Sequence, residues 1–352
     1  MKFLPFYLML LSLIGVALSK NSTDLSGFKT SSSVSVSGIS SGGAMAVQMV
    51  VAHSSIISGA GIFAAPPYFC ARGILQTALD CMTTGFSVYP TQLKLAAEGY
   101  EALGLIDKLS NLIKSKIYFF SGKRDSVVWS GIVKKSQKFF EKLGADVKTE
   151  YDISAEHTFP TDFFGNACSK LKTPYIGNCD YDGAKHSLEH ILDRTLEPKV
   201  DYKEENLYTF SQEKYKIGLA HSLGESGLIY VPDNCKENEC DLHIAFHGCD
   251  QTIGEIGLDY VYGTGYLGIA EANNIVVLFP QVIKNQVYPY NPKGCWDWWG
   301  YSELVPKPAD FLYPTKKGSQ IQGVYEMIVD AQNGNLPIDT EFAIKNFTKS
   351  SY

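Results

Sequence analysis

The chain has 352 residues, a formal net charge of −6 at pH 7 and 45% hydrophobic residues. An acidic chain lacks the basic footprint of nucleic-acid-binding proteins, so we exclude nucleic acid as a partner. The length is large for one compact core but normal for an α/β enzyme, and no linker, repeat or low-complexity stretch divides the sequence. We therefore expect a single domain.

The N-terminal segment has the organisation of a signal peptide. Lys2 supplies a positive charge, an apolar stretch follows, and the small residues Ala17 and Ser19 are placed for cleavage. A membrane anchor is the alternative, but a span needs about 20 apolar residues and this run ends earlier. We predict removal of residues 1–19 and export of residues 20–352 without a membrane anchor.

The predicted elements of the first half alternate between strands and helices. Val34 and Val36 alternate with serines in a strand at 33–37, and an apolar helix follows at 41–53. The next predicted elements are a strand at 57–65, a helix at 92–114, a strand at 117–120, a helix at 128–143 and a strand at 146–151. This alternation predicts a mostly parallel sheet with helices on both faces.

The second half continues with further strands and helices. The predicted elements are a helix at 183–194, a strand pair at 206–210 and 227–231, strands at 242–246 and 275–280, and helices at 263–273 and 318–332. The last helix carries Ile321, Val324 and Ile328 on one face at helical spacing, as a helix packed on a sheet requires.

Gly38-Ile39-Ser40-Ser41-Gly42 lies between the first strand and the first helix. A strand, a sharp turn with small residues around a serine, and a helix together describe a nucleophile elbow. Gly38 and Gly42 leave room for the turn, and the helix N-terminus brings backbone N–H groups beside a developing oxyanion. The motif alone is weak evidence, but its position between strand and helix favours Ser40 as a nucleophile.

A serine nucleophile needs a general base and an acid that orients the base. His157 follows a strand, lies in a loop and comes after the serine and Asp125 in the chain order serine, acid, base. Asp125 directly follows the strand at 117–120, and Asp152 and Asp162 remain alternatives. Surface or packing roles are assigned to His186 and His190, and a helix-capping role to His53.

The strand at 242–246 runs into His247-Gly248-Cys249, which is similar to the His-Gly oxyanion loop of esterases. That loop normally precedes the nucleophile, whereas here it follows the serine, the acid and the base. A circular permutation, with new ends opened just before the nucleophile strand, can bring the same loops together.

Residues 291–301 hold three of the four tryptophans. Aromatic clusters are usually core, but these stand beside Asp297 and glycines, as in a loop whose indoles line a site for an apolar acyl chain. The sequence leaves both interpretations open.

Eight cysteines in an exported chain are expected to form disulfides, because the export route is oxidising. Proximity suggests Cys70 with Cys81, Cys168 with Cys179, Cys235 with Cys240, and Cys249 with Cys295, although spacing does not fix connectivity. No CxxC pair is present, so we expect no metal. Asn21 and Asn346 each begin an N-x-T sequon and are candidate glycosylation sites.

Several runs resemble the secreted poly(3-hydroxybutyrate) depolymerases with a circularly permuted catalytic domain, the fungal single-domain forms especially. The shared runs are VSVSGISSGGAMAVQM, SGKRDSVV, EHTFPTDF, NCDYDGA, LHIAFHGCDQ and NPKGCWDWWGY, which are spread over nearly the whole of residues 20–352. The resemblance implies a single-domain α/β-hydrolase fold, ester hydrolysis on a polyester without a cofactor, and a secreted or vacuolar enzyme that we expect to be a monomer.

The resemblance also implies roles for individual residues. It assigns Ser40 as nucleophile, Asp125 as orienting acid, His157 as base and the backbone N–H groups of Ser41 and Cys249 as oxyanion hole. It also implies contact between the polyester and the tryptophans Trp296, Trp298 and Trp299, without deciding which of them makes it. The bacterial members often carry a linker and a polymer-adsorbing domain, and we expect neither here. The alternatives are a feruloyl or acetyl-xylan esterase and a secreted binding protein without catalysis.

Overall fold

The computed structural model describes Leu25, residues 28–303 and residues 311–340. The predicted signal peptide and both sequons, at Asn21 and Asn346, lie outside these residues. Among the described helices, none combines the length and the apolar character that crossing a membrane requires.

The described residues form twelve strands and nine α-helices. The strands are β1 Thr30–Ile39, β2 Ile57–Phe63, β3 Lys116–Phe120, β4 Asp146–Glu150, β5 Phe159–Thr161, β6 Asn166–Ala167, β7 Ile176–Asn178, β8 Leu207–Ser211, β9 Ser226–Tyr230, β10 Cys240–Phe246, β11 Ile275–Phe279 and β12 Ile338–Asp339. The helices are α1 Ser41–Ala52, α2 Leu75–Asp80, α3 Pro90–Ala102, α4 Ser130–Lys142, α5 Gly183–Ile191, α6 Ile253–Ile256, α7 Asp259–Gly263, α8 Tyr266–Asn273 and α9 Ser319–Asn333.

Nine of the strands form one central sheet in the order β12-β8-β9-β11-β10-β1-β2-β3-β4. The six strands from β11 to β4 are parallel to their neighbours, and β9, β8 and β12 extend one end of the sheet in antiparallel pairs. A small parallel sheet, β5-β7-β6, lies outside it. The predicted mostly parallel α/β fold is confirmed.

The strand order also confirms the circular permutation. If strands are counted from β8 to β11 and then from β1 to β4, the sheet order becomes 1-2-4-3-5-6-7-8, which is the order of an α/β-hydrolase sheet. In this count β1 is the fifth strand and β10 the third. The loop after the third strand is the one from which α/β-hydrolases take an oxyanion N–H, so the permutation brings the His247 loop beside the Ser40 turn.

Helices cover both faces of the sheet, as a parallel sheet buried on two sides requires. Apolar residues of α1, α3, α4 and α9 form one core with the strands, and those of α5, α7 and α8 form the other. Each core buries one face of the central strands.

The serines of β1 are buried, which their alternation with valines did not reveal. Val34 and Val36 enter one core, whereas Ser35 Oγ and Ser37 Oγ lie 2.8 and 2.7 Å from the two ring nitrogens of His243 on β10. Both nitrogens of this buried ring therefore have partners. The network ties the strand that leads to Ser40 to the strand that leads to the His247 loop.

The helix predicted at 92–114 is shorter in the structure, and that prediction is wrong in its second half. Helix α3 ends at Ala102, and a separate 3₁₀ turn covers Leu109–Leu112. Gly104 has φ +68°, in the left-handed region where glycine commonly ends a helix.

The structure contains the four disulfides that sequence proximity suggested. They join Cys70 to Cys81, Cys168 to Cys179, Cys235 to Cys240, and Cys249 to Cys295. The described residues contain no group of three or more histidine, cysteine, aspartate or glutamate side chains arranged to hold a metal ion.

Candidate active site

Ser40 lies in a sharp turn between β1 and α1. Its backbone has φ 56° and ψ −121°, a conformation that residues other than glycine rarely adopt. Its amide donates a hydrogen bond of 2.9 Å to the carbonyl of Phe63, at the end of β2. Strained backbone of this kind costs about 1–3 kcal/mol and is held by the surrounding structure. The geometry is that of a nucleophile elbow, with Ser40 at the edge of the sheet.

The glycines around Ser40 are required by close backbone contacts. A Cβ atom on Gly38 would lie 2.4 Å from the carbonyl carbon of Gly42, and one on Gly42 would lie 2.2 Å from the carbonyl oxygen of Phe246. Phe246 is the last residue of β10. The turn is therefore packed directly against the start of the His247 loop.

Asp125 and His157 form a buried pair. Asp125 Oδ2 lies 2.9 Å from His157 Nδ1, and the two side chains are 0% and 8% exposed. Asp125 Oδ1 accepts hydrogen bonds from the backbone N–H groups of Val127 at 3.0 Å and Val128 at 2.8 Å. A carboxylate fixed in this way holds Nδ1–H of the imidazole and leaves Nε2 free to act as a base.

The alternative acids do not reach His157. Asp152 forms an exposed ion pair with Lys123, and Asp162 pairs with Lys199. Asp125 reaches the histidine because it follows β3, and β1, β2 and β3 are parallel neighbours whose carboxyl ends meet at one edge of the sheet. His157 precedes β5 at the same edge.

Among the described residues, no hydrogen bond joins the side chains of His157 and Ser40. Catalytic hydrogen bonds are often long in the absence of substrate and tighten when it binds. The edge therefore presents an oriented acid–base pair and a serine on a strained turn.

The two residues predicted to form the oxyanion hole, Ser41 and Cys249, lie beside Ser40. Ser41 is the first residue of α1, so its N–H has no carbonyl partner within the helix. A Cβ atom on Gly248 would lie only 3.4 Å from Cβ of Ser40, so the Gly248–Cys249 segment packs against the serine. Ser41 and Cys249 both line the same cavity as Ser40. This is the arrangement in which two N–H groups can stabilise an oxyanion.

The cavity at Ser40 has a volume of about 230 Å³. Apart from Ser40, Ser41, Cys249, Lys293 and Cys295, its lining is apolar and consists of Pro66, Leu75, Ala78, Leu79, Met82, Val128, Trp298 and Trp299. A mostly apolar cleft with a few polar groups at one end is typical of a site for an apolar ligand with one reactive polar group.

The three tryptophans of the aromatic run differ in position. Trp298 and Trp299 line the cavity. Trp296 is 0% exposed and packs edge-on against Phe246, with ring centroids 5.0 Å apart. Trp296 does not line this cavity and its side chain belongs to the core, so Trp298 and Trp299 are the two candidates placed at the cavity. Both interpretations that the sequence left open are thus represented in one loop.

The chain shares extensive similarity with curated proteins of known activity, although no family model matches it. It is 37% identical over 287 residues to the polyhydroxybutyrate depolymerase of Talaromyces funiculosus, which covers 76% of this chain and 82% of that protein. It is 36% identical over 308 residues to the poly(3-hydroxybutyrate) depolymerase of Delftia acidovorans, which covers 85% of this chain. The chain belongs to the polyhydroxybutyrate depolymerase family. It spans 59% of the length of the Delftia protein.

Solved depolymerase structures have the same fold. The crystal structure of the depolymerase from Penicillium funiculosum matches with a TM-score of 0.76 and 31% identity, over 87% of this chain and 98% of that chain. A depolymerase with a serine replaced by alanine, complexed with an R3HB trimer, matches with a TM-score of 0.75 over the same shares.

Helix α2 supplies part of the cavity wall in this depolymerase family member, and the sequence interpretation missed it. Leu75, Ala78 and Leu79 of α2 line the cavity together with Met82, which lies two residues beyond the helix, and the four have the i, i+3, i+4, i+7 spacing of one helix face. That spacing is the signal that could have found them. The helix is short and lies between the two cysteines of one disulfide, which made it resemble a loop.

A buried carboxylate shapes the tryptophan loop of this depolymerase family member. Asp297 is 2% exposed, and its Oδ1 accepts hydrogen bonds from the backbone N–H groups of Trp299, Gly300 and Tyr301. Burial raises the pKa of this carboxyl group, against the lowering effect of these hydrogen bonds. The carbonyl of Asp297 accepts from Gln48 of α1 at 2.8 Å, so the loop is tied to the helix that follows Ser40.

The remaining histidine candidates lie away from the reacting edge. His53 is the C-terminal cap of α1 and stacks on Tyr325, with centroids 4.2 Å apart. His186 and His190 lie on α5, where His186 stacks on Tyr181. Packing roles, as the sequence suggested, account for these contacts.

Proposed function

We propose that the chain is a serine esterase that hydrolyses poly(3-hydroxybutyrate) or related hydroxyalkanoate polyesters and oligomers. The observation that carries this proposal is the buried Asp125–His157 pair, 2.9 Å apart, at the sheet edge that also bears the strained turn of Ser40. Membership of a family whose named relatives are depolymerases supports the substrate.

The first half of the reaction is acylation. His157 Nε2 accepts the proton of Ser40 Oγ as the oxygen attacks the ester carbonyl carbon, and the carbonyl oxygen becomes an oxyanion. The N–H groups of Ser41 and Cys249 stabilise that oxyanion, and each such donor contributes roughly 10²- to 10³-fold in rate. The C–O bond to the leaving alcohol then breaks, and His157 protonates the alcohol.

The second half releases the acid. His157 accepts a proton from water, the hydroxide attacks the acyl-enzyme, and the bond to Ser40 breaks as His157 returns the proton to Oγ. Asp125 remains ionised throughout and stabilises the imidazolium that forms twice in the cycle. The cycle needs no cofactor, and we propose that the protein acts as a monomer.

The lining of the cavity fits an apolar acyl or alcohol segment next to the ester. Leu79, Met82, Trp298 and Trp299 offer apolar contact, and only a few of the lining residues, Ser40 and Ser41 among them, are polar. A polyester with short alkyl side groups matches this distribution, because only its ester groups need polar partners. The relative complexed with an R3HB trimer is consistent with such a ligand.

We also propose that the protein is secreted, with residues 1–19 removed and with Asn21 and Asn346 available for glycosylation. The four disulfides support an oxidising compartment. The N-terminal sequence supports export through its apolar stretch and small residues at the cleavage position.

The substrate can be tested by comparing esters at equal enzyme concentration. Release of 3-hydroxybutyrate from soluble oligomers is measured beside hydrolysis of feruloyl and acetyl sugar esters, with heat-denatured protein as the blank. We expect kcat/KM to be highest for the 3-hydroxybutyrate oligomers. Preference for the sugar esters would overturn the proposed substrate and leave the serine esterase mechanism in place.

A further inference from the structure

The Gly248–Cys249 peptide lies against Ser40, and its orientation decides where the Cys249 N–H points. A Cβ atom on Gly248 would lie 3.4 Å from Cβ of Ser40 and 3.2 Å from the carbonyl oxygen of Ile39. The peptide is therefore packed closely against the elbow. A small rotation of its plane would move the N–H away from a bound oxyanion.

Two buried side chains hold Gly248 from opposite sides. His247 is 0% exposed, and its Nδ1 lies 2.8 Å from the carbonyl oxygen of Gly248. Gln251 is 2% exposed, and its Oε1 accepts a hydrogen bond of 2.7 Å from the N–H of Gly248. The backbone N–H of Gln251 adds a longer bond of 3.3 Å to the same carbonyl.

In a planar trans peptide the C=O of one residue and the N–H of the next point in opposite directions. A donor that fixes the Gly248 carbonyl therefore also fixes the direction of the Cys249 N–H. We propose that His247 is a positioning residue that aims this N–H at the oxyanion, with Gln251 holding the preceding amide of the same segment. The proposal rests on the proposed esterase function.

The ring of His247 is held in the state that this role needs. Nδ1 faces a carbonyl oxygen, which only accepts, so Nδ1 carries the hydrogen. Nε2 lies 3.4 Å from the backbone N of Val282, which donates to it. Burial lowers the pKa of His247 to about 4, so the ring is neutral in neutral solution. The ring packs beside Trp296, the tryptophan that does not reach the cavity.

Gln251 also links this segment to the base. Its Nε2 donates a hydrogen bond of 2.8 Å to the carbonyl of Pro174. The neighbouring carbonyl, of Tyr175, accepts a bond of 2.9 Å from the N–H of Phe159, which is two residues after His157. The oxyanion donor and the general base are thus held by one connected set of hydrogen bonds.

The test replaces His247 and compares turnover with binding of a transition-state analogue. In His247→Phe a phenyl ring replaces the imidazole, so an aromatic ring remains but the donor to the Gly248 carbonyl is lost. In His247→Asn the side-chain amide can still donate from the position of Nδ1. His186→Phe, on the surface helix α5, is the matched control. Each variant is assayed for kcat and KM on a short soluble ester and for affinity toward an alkylboronic acid, which forms a tetrahedral anion on the serine.

We expect His247→Phe to lower kcat about 10²-fold, with KM within about 3-fold of the parent value, and to weaken boronate binding in parallel. His247→Asn should recover most of both losses, and His186→Phe should match the parent protein. Because a smaller folded fraction by itself lowers the apparent kcat and leaves KM unchanged, kcat is referred to the folded protein measured by its unfolding transition, and the boronate dissociation constant distinguishes the two causes. Folded His247→Phe protein that binds the boronate as tightly as the parent would overturn the proposal.

A second variant covers the case in which His247→Phe does not fold. Gln251→Leu removes the acceptor for the Gly248 N–H, and we expect the same pattern of lower kcat and weaker boronate binding. Unchanged boronate affinity in that variant would also overturn the proposal. Parent protein that binds the boronate and cleaves the short ester but spares the polyester would refute the proposed substrate alone.

Discussion

The site has two regions that are built in different ways. One is the catalytic edge, which consists of Ser40, Asp125, His157 and the Gly248–Cys249 peptide and is formed at strand ends. The other is the cavity wall, which consists of Leu75, Leu79, Met82, Trp298 and Trp299 and is formed by a short helix and a loop. Most of the edge is buried, whereas Leu75 and Leu79 of the wall are 65% and 46% exposed.

The two regions are also held by different forces. Backbone pairing in the sheet and buried hydrogen bonds fix the edge, as the Asp125–His157 pair illustrates. The wall has disulfides in addition to the hydrogen bonds of Asp297: one disulfide closes the segment containing α2, and the Cys249–Cys295 bond joins the tryptophan loop to the edge. Under the proposed function, the edge supplies the chemistry for any ester and the wall supplies the preference for the polyester. Changes in the edge should therefore lower kcat, and changes in the wall should mainly raise KM.

The largest effect is expected at the acid of the edge. Asp125→Asn keeps the side-chain shape but leaves the imidazole in the wrong tautomer, and a loss of about 10⁴-fold in kcat is expected on every ester. Asp152→Asn is the matched control, because Asp152 pairs with Lys123 at the surface. Steady-state kinetics on a short ester and on the polyester measure both. Equal losses in the two variants would contradict the role of Asp125.

The next effect concerns the disulfide of the wall. The Cys70–Cys81 bond has a sequence separation of 11 residues, and removing both cysteines as Cys70→Ser with Cys81→Ser should lower the free energy of unfolding by about 3 kcal/mol. Because α2 loses its constraint, we expect the fold-increase in KM for the polyester to be larger than the fold-decrease in kcat on a short ester. Denaturant unfolding and kinetics check this. A selective loss of kcat with unchanged KM would show that the wall and the edge are not separable in this way.

Three buried histidines, His243 and His247 near the edge and His53 at the C-terminal end of α1, make the stability of the fold depend on pH. Burial lowers the pKa of His53 to about 4, of His243 to about 3 and of His247 to about 4. The unfolded chain binds protons at these rings near pH 6.5 and the folded chain does not, so stability is lost as pH falls below that value. When the pH is lowered from 7.5 to 5.5, we expect each ring to lower the free energy of unfolding by about 1 kcal/mol. A flat profile from denaturant titrations over this range would contradict neutral, buried rings.

The smallest effect distinguishes the tryptophans. Trp299→Ala removes an apolar contact of the cavity, and KM for oligomers should rise about 10-fold, more than kcat falls. Trp129→Ala is the control, since Trp129 is 47% exposed and does not line the cavity. Trp296→Phe should lower stability and leave KM nearly unchanged, because Trp296 is core. A larger KM effect at Trp296 than at Trp299 would reverse these assignments.

The edge was predictable from the sequence because its signals are local. The strand, the glycine box and the helix around Ser40 follow one another, and Asp125 directly follows a buried strand. The permutation was visible because the His247 loop stands after the serine instead of before it. The choice of Asp125 over Asp152 was less secure, since it depends on which side chain faces His157 across neighbouring strands.

The wall was harder to predict because burial depends on tertiary packing. Trp296, Trp298 and Trp299 are nearly adjacent and chemically identical, yet Trp296 lies in the core alone, Trp298 is buried in the core and also lines the cavity, and the partly buried Trp299 lines the cavity. No pattern in three neighbouring residues distinguishes them. Leu79 and Met82 did carry a helical spacing, but a helix of 6 residues gives too short a pattern to stand out from a loop. The positioning role of His247 depends on a contact to the next residue's carbonyl, which only the structure supplies.

The most direct test is the release of soluble 3-hydroxybutyrate from amorphous poly(3-hydroxybutyrate) by the parent protein and by Ser40→Ala, with both shown to be folded by their unfolding transitions. The account predicts steady release by the parent protein and none above background by the variant. Equal release by the two proteins would contradict a reaction that proceeds through Ser40.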